Sequence, residues 1–450
     1  MGGGQAKPEE EQRKDLNLYF KNLLETKLQF QRSAKEVQDI QYAVNVLVET
    51  IATALGELDN SLKILRVARV GSMTEGTKIR EPDEFDFLLI LEYPSQPRAV
   101  EIVRERKNGS GYKHIVIKDE YLKSQWSHCM YGDMLKGTIS SKISYFFYWL
   151  FGYDIGLRQE FYKTLQQALA SVRTSNGSCQ TDTGVMTLSR TLSRHGPAFT
   201  SVLYWTPSDK NSTSLQINVD LTPAIQLELS EEILKESEVY DQRFYQALKQ
   251  VNRYMIVPCN RASSCRNGLC FRLTFTETEV QLLSTRRDEL CFNPQFPDYT
   301  WLFSDSVRLH HIQCYKVMKY IFESDSAYRI EIFKSYTLKT FLLKHMCHCK
   351  NDDDISSCVM DLSNDCLEAM DGFQGSRLQI SGIFVTEHSI FHNKKIHSPP
   401  YYFIKAIKDM VKSLVRTGKG DDYRSGSVKK VNRTVRQLSQ PVPGQVVQIF

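Results

Sequence analysis

Apolar residues recur every three to four positions between Val37 and Leu55: Val37, Ile40, Val44, Leu47, Val48, Ile51 and Leu55. That period predicts a helix with one buried stripe, and residues 13–56 read as a single long helix. A different pattern follows. Ile64, Leu65, Val67 and Val70 suggest a strand that ends at Gly71-Ser72, and Phe85 to Leu91 is a nearly continuous apolar strand with two acids at its start. Pro94, Pro97, Asn108-Gly109 and Gly111 mark residues 93–118 as a surface excursion. The Ser-, Thr-, Asn- and Gly-rich stretch 172–186 reads as a loop. Thr200–Trp205 and Leu215–Leu221 read as two strands facing each other across a polar turn. From about residue 231 helical spacing dominates, in 309–322, 328–347 and 402–416. Past Gly418 little remains to build a core, so the basic tail is expected to be disordered. The expected architecture is α+β: a mixed sheet backed by a long N-terminal spine helix, then a helical lobe, with a cleft between them. The expected divisions are 1–12 as a disordered start, 13–230 as spine and core, 231–417 as helical lobe and 418–450 as tail.

Composition narrows the class. No apolar run approaches the roughly 20 residues of a membrane-spanning helix, and the charged residues after Met1-Gly2-Gly3-Gly4 do not resemble a secretory signal. Gly2 fits part of an acylation pattern, but Ala6 stands where Ser or Thr is wanted. Eleven cysteines without small-scaffold spacing suit reduced thiols in the cytoplasm better than a disulfide framework. A net charge of +5 permits a polyanionic partner without demanding one. Lys21, Lys27, Arg32 and Lys35 on the spine helix are the candidate nucleic-acid contacts; the plainer reading of scattered lysines is a solvated helix face.

Three acids are spaced as metal ligands would be. Glu84 and Asp86, two apart on a strand, project from one face, among Phe85 and Phe87–Leu91. Asp220 ends the polar alternation Gln216, Asn218, Asp220 against Ile217, Val219 and Leu221. A carboxylate pair in such surroundings suffers repulsion and desolvation, which divalent cations remove. Alone, an acid pair of this spacing is usually a surface feature. The preceding Gly71-Ser72 turn shifts the balance, because its backbone N–H groups and hydroxyl can receive a phosphate.

These motifs resemble the signature of the cyclic GMP–AMP synthase (cGAS) and male-abnormal family of nucleotidyltransferases. The resemblance rests on Gly71-Ser72-Met73-Thr74-Glu75 with Glu84-Phe85-Asp86, on His195-Gly196-Pro197-Ala198-Phe199-Thr200 and on Asn218-Val219-Asp220-Leu221. It continues in Phe271 to Glu279, in Cys314 to Tyr320 and in Ser335 to Thr340, and spans about residues 13–416. It implies that Glu84, Asp86 and Asp220 are catalytic and bind Mg²⁺ (or Mn²⁺), and that Gly71 and Ser72 contact donor phosphates. Arg272 would contact the acceptor, and Thr274, Thr276 and Glu279 would read base edges. Lys319 and Ser335 would hold the donor triphosphate, and Tyr336 would stack on a base, with Lys339 in the same motif. The implied substrates are ATP and a second nucleoside triphosphate, GTP or another, joined into a cyclic dinucleotide that acts on its own receptor in antiviral innate immunity. A homodimer is compatible with this reading. The rival is a catalytically inactive relative serving as a scaffold or developmental regulator.

One departure bears on the activator. The family's zinc thumb lies between the Arg272 motif and the next helix, where this chain has Cys291, His310, His311 and Cys314 without the cysteine doublet or its spacing. Tetrahedral sites need fixed spacing, so no structural zinc is expected, and Cys347, His348 and Cys349 read as thiols and a histidine on different helix faces. A chain without the DNA-reading thumb resembles the family's double-stranded RNA sensors.

Overall fold

A computed structural model of the chain describes residues 9–103, 112–126, 157–231, 241–258, 270–283, 305–324, 335–349 and 354–371. The expected helix at 402–416, the basic tail, the glycine-rich start and Cys291 lie outside the described residues. The chain divides into two compact units. One comprises residues 30–308 with 383–388; the other comprises 1–29, 309–382 and 389–450.

The first unit is α+β, as the apolar patterning predicts. It opens with helix α2 (Ala34–Leu58), which follows α1 (Glu9–Thr26) of the other unit. The single helix expected over 13–56 is therefore two. The first helix ends at Thr26, and Ser33 begins the next: it is extended (φ −61°, ψ 152°) and its side chain accepts the Glu36 N–H. The stripe from Val37 to Leu55 is buried as expected. Burial of each large aliphatic residue there stabilises the unit by about 1.5–3 kcal/mol.

Strand β1 (Ile64–Val70) leads into the short helix α3 (Gly71–Thr74), then to β2 (Glu84–Leu91), β3 (Val100–Val103), β4 (Tyr112–Ile117), helix α4 (Glu120–Trp126) and helix α5 (Leu157–Asn176). Strands β5 (Ser178–Gln180), β6 (Gly184–His195), β7 (Ala198–Pro207) and β8 (Leu215–Glu228) form antiparallel neighbours in sequence order. Helix α6 (Gln242–Val251), β9 (Arg253–Pro258), β10 (Cys270–Thr274) and helix α7 (Thr276–Leu283) complete the unit. The sheet runs β3-β4-β10-β9-β8-β7-β6-β5, and β8 also pairs in parallel with β2, whose other edge carries β1.

Three expectations change. The excursion 93–118 holds two paired strands, β3 and β4, with Val100 opposite Ile117. The loop 172–186 is instead the end of α5, then β5 and the start of β6. The mostly helical region after 231 begins with two more strands; because β9 pairs with β8 and β10 with β9, this unit runs to 308 rather than ending near 230.

The other unit contains α1 and three further helices: α8 (Asp305–Ser324, entering it at Leu309), α9 (Ser335–Met346) and α10 (Ile355–Asp371). Its core includes Val317, Met318, Leu342, Leu343, Val359 and Leu362. The N–H of Ile355 donates to Asn17 of α1 at 3.2 Å. Among the described residues no helix is long and apolar enough to cross a membrane.

Candidate functional site

Register brings the three acids together. Parallel pairing of β2 with β8 places Asp86 beside Asp220 and Glu84 beside Asn218. Glu84 and Asp86 alternate with buried Phe85 and Phe87, so their carboxylates share the other face. On the far edge of β8, Thr200 of β7 lies opposite Asp220. Its hydroxyl donates to Asp220 Oδ1 at 2.5 Å, while His195 Nδ1 stands 3.8 Å from Oδ2. Burial pushes the Asp220 carboxyl above its ordinary pKa; Thr200 and His195 oppose that shift and the Glu84 charge adds to it.

Gly71 is required by space as well as by backbone. Antiparallel pairing sets Val70 opposite Asp86, so the chain leaves β1 directly against that carboxylate. Gly71 has φ +75°, and a Cβ there would lie 1.9 Å from Asp86 Oδ2, 2.6 Å from its Cγ and 2.9 Å from its Cβ. The loop beyond closes on Ser72, whose carbonyl accepts the N–H groups of Thr77 (2.9 Å) and Lys78 (3.0 Å). That loop delivers Lys78, whose ammonium pairs with Glu84 at 2.9 Å and Asp83 at 2.8 Å. Burial works against the Lys78 charge, but Glu84 and Asp83 hold its pKa above the ordinary lysine value.

Lys78, Thr200 and His195 complete the surroundings of the acids. Thr200 was within reach: the register that pairs Leu203 with Ile217 also pairs Thr200 with Asp220. No local signal marks Lys78. The donor set is all carboxylate oxygen, on adjacent strands and with one member burdened by burial. That chemistry fits a hard divalent cation.

The remaining candidates fall in two places. Arg272 and Thr274 stand on β10 and Thr276 opens α7, with the two threonine hydroxyls 2.5 Å apart. Glu279 is buried one turn into α7, and its N–H bonds the Phe275 carbonyl. The acid between them is structural, since Glu277 pairs with Arg66 at 2.6 Å and Arg253 at 2.8 Å. Burial opposes its charge, yet Arg66 and Arg253 hold its carboxyl below the usual range. Lys319, Ser335, Tyr336 and Lys339 belong to the helical unit. There Lys319 and Lys339 are buried, Tyr336 is 45% exposed, the Lys339 ammonium lies 5.3 Å from the Tyr336 ring centre, and the Tyr315 hydroxyl donates to the Ser335 carbonyl.

The four basic residues proposed for nucleic acid do not share one helix. Lys21 is exposed on α1 and Lys27 is exposed just beyond it. Arg32 is tied to Glu36 at 2.6 Å, Glu81 at 2.8 Å and the Thr213 carbonyl at 3.0 Å, with a side chain only 7% exposed. Lys35 pairs with Asp39 and Asp182, each at 3.0 Å.

Residues 73–285 match the family described as Mab-21 protein nucleotidyltransferase domain. The chain carries a Mab-21 nucleotidyltransferase domain. The match takes in the acids on β2 and β8, the strands that pair them and the segment from Arg272 to Glu279, and it places the chain with the cGAS-like proteins.

Proposed function

We propose that this Mab-21 domain is a metal-dependent cyclic dinucleotide synthase, joining ATP to a second nucleoside triphosphate in cytoplasmic antiviral signalling. The observation that carries the catalytic part is the register that sets Glu84, Asp86 and Asp220 on one face of paired strands, beside the side-chain-free approach at Gly71. Those three carboxylates would hold the divalent ions. When bound, such ions supply charge neutralisation for the triphosphate and a lowered pKa for the attacking hydroxyl.

The chain's own groups prepare the site. Thr200 and His195 orient the two oxygens of Asp220, and Gly71 lets the backbone pass close to Asp86. Ser72, at the start of α3, is the residue to which the resemblance assigns donor phosphate. Arg272, Thr274, Thr276 and Glu279 lie on the strand and helix to which the resemblance assigns the acceptor.

Double-stranded RNA is the proposed activator, and Lys21 and Lys27 are the basic residues that support it, since Arg32 is committed to carboxylates. A-form RNA is recognised through shape, phosphates and 2′-hydroxyls. A non-catalytic scaffold is the competing reading, and Lys78 is the observation in its favour, because its ammonium already neutralises Glu84.

One experiment separates these readings. The purified chain is incubated with all four nucleoside triphosphates, Mg²⁺ or Mn²⁺, and double-stranded RNA or DNA, and products are resolved by chromatography. A cyclic product that appears with RNA and vanishes in the Glu84→Ala, Asp86→Ala double variant supports the proposal. A double variant that turns over normally refutes the metal site; no product under any condition supports the scaffold.

A further inference from the structure

The helical unit gathers chemically matched side chains from three helices. His311 comes from the middle of α8, His345 from the end of α9, Cys349 from the turn after it and Cys358 from the first turn of α10. One ligand atom from each of these four lies within 4.8 Å of all the others; His311, His345 and Cys358 are buried and Cys349 is half-buried. We propose that His311, His345, Cys349 and Cys358 form a structural zinc site that staples α8, α9 and α10.

The separations suit a closed four-ligand site. Zn–S bonds of about 2.3 Å at tetrahedral angles put two thiolates about 3.8 Å apart. The Cys349 and Cys358 sulfurs are 3.8 Å apart and not disulfide-bonded, whereas a disulfide needs about 2.05 Å. His345 Nε2 stands 3.1 Å from Cys358 Sγ, while its Nδ1 faces Asp365 Oδ2 at 3.1 Å. A carboxylate on the far nitrogen is how metal-binding imidazoles are held in tautomer and orientation. The His311 ring lies 5.6 Å from that of His345.

Local structure explains the convergence. The Cys349 N–H bonds the His345 carbonyl at 3.0 Å, a last helical turn that returns Cys349 to the face of His345. Asp354 accepts the Ser356 N–H at 3.0 Å and starts α10, which places Cys358 in the first turn of that helix. Two sulfurs and two imidazoles select zinc over the hard cations suited to the carboxylate site. Three of the four ligands lie beyond the interval that holds the family's zinc thumb, and the proposal replaces the expectation of no structural zinc.

The test begins with elemental analysis of the full chain, purified under reducing conditions without chelator. About one zinc per chain is expected. Replacement by Co²⁺ should give the visible bands of a tetrahedral ion and a thiolate charge-transfer band. Cys349→Ala should lose the metal, while Cys314→Ala and His348→Ala, outside the four, should keep it. Zinc-free wild-type protein that also shows no tetrahedral Co²⁺ spectrum would overturn the proposal, whatever the variants do to folding. So would zinc lost with Cys314→Ala but kept with Cys349→Ala, which would point instead to His310, Cys314 and Cys358. Because the ligands are not the nucleotidyltransferase acids, zinc content reads this site independently of turnover.

Discussion

Replacing Gly71 with alanine should silence the enzyme while leaving it folded, and Gly76 supplies the control. Both glycines have left-handed backbones, with φ +75° and +73°. An L-residue there costs about 1–2 kcal/mol from the clash of Cβ with the following carbonyl. The two sites differ in what surrounds the new methyl. At Gly76 nothing lies within 4 Å, whereas at Gly71 the methyl would sit 1.9 Å from Asp86 Oδ2 and 2.9 Å from Asp86 Cβ. The carboxylate cannot simply rotate aside, because its Cβ is also too close and Asp86 is held between β1 and β8. Reaching ordinary contact at about 3.5 Å requires a shift of about 1.5 Å. Overpacking of this kind adds about 1–3 kcal/mol, so Gly71→Ala should lose about 2–5 kcal/mol in total and Gly76→Ala only the strain component. A misplacement of about 1 Å can cost about 100-fold in rate, so Gly71→Ala should fall at least that far and Gly76→Ala should stay near wild type. Pyrophosphate release measured well below both melting temperatures gives the rates, and Mn²⁺ titration tests the displaced ligand without relying on turnover. Equal loss in both variants, or Gly71→Ala within a few-fold of wild type with unchanged Mn²⁺ affinity, would refute the reasoning.

Asp220→Asn should abolish turnover yet melt at the same or a higher temperature, because it removes a charge that burial and Glu84 both disfavour while leaving an oxygen for Thr200; a clear drop in melting temperature would show the acid to be structural. Glu277→Gln should cost about 2 kcal/mol near neutral pH, below the usual 3–5 for breaking a buried pair, because Arg66 and Arg253 are 32% and 24% exposed. The Glu277 pKa is lowered in the fold, so its contribution is full above the ordinary glutamate value and is lost as pH falls through the folded one; melting curves of variant and wild type should converge in acid, and a gap that persists there would refute the assignment. Arg32→Glu should destabilise the fold by placing a third carboxylate beside Glu36 and Glu81, whereas Lys21→Glu with Lys27→Glu should leave melting unchanged and reduce RNA stimulation, with a shallower salt dependence; unchanged stimulation would remove RNA as the activator bound there.

What could be read in advance followed from period. The α2 stripe, the acid alternation on β2 and β8, and the pairing of β7 with β8 are local patterns, and burial obeys them. The break before α2 was legible too: Ser33 with Glu36 three residues on is a helix-start signal, masked by the apolar period that continues across it. Strands β3 and β4 were obscured because Asn108-Gly109 reads as loop punctuation, although it is equally a hairpin signal between Val100–Val103 and Tyr112–Ile117. The Lys78 pair with Glu84 and the gathering of His311, His345, Cys349 and Cys358 were not legible, because both depend on where tertiary packing brings distant side chains. His345, Cys349 and Cys358 lie close in sequence but match no metal template by themselves, and His311 joins them only through the packing of α8.

One face of the forked sheet explains why the acids and the segment from Thr274 to Glu279 belong together. Alternation puts Glu84, Asp86, Leu88 and Ile90 of β2 on a common face with Asp220, Thr222, Ala224 and Gln226 of β8 and with Arg66, Ala68 and Val70 of β1. Along that face the character changes in three steps. The acids come first. Next is a closed apolar cluster of Ala68, Val70, Leu88, Ile90, Ala224, Met255, Val257 and Val280. Last is the polar network in which Arg66 holds both Gln226 and Glu277. Val280 and Glu277 come from α7, so this helix is fixed by an apolar contact and an ion pair, and it also touches α3, which begins at Gly71. Strand rise is about 3.3 Å per residue, so the Leu88–Ile90 contact lies only about 7–13 Å along β2 from Asp86. Glu277 therefore holds the turn that carries Thr274 and Thr276, and the apolar cluster separates Arg66 from Glu84, Asp86 and Asp220 along that face.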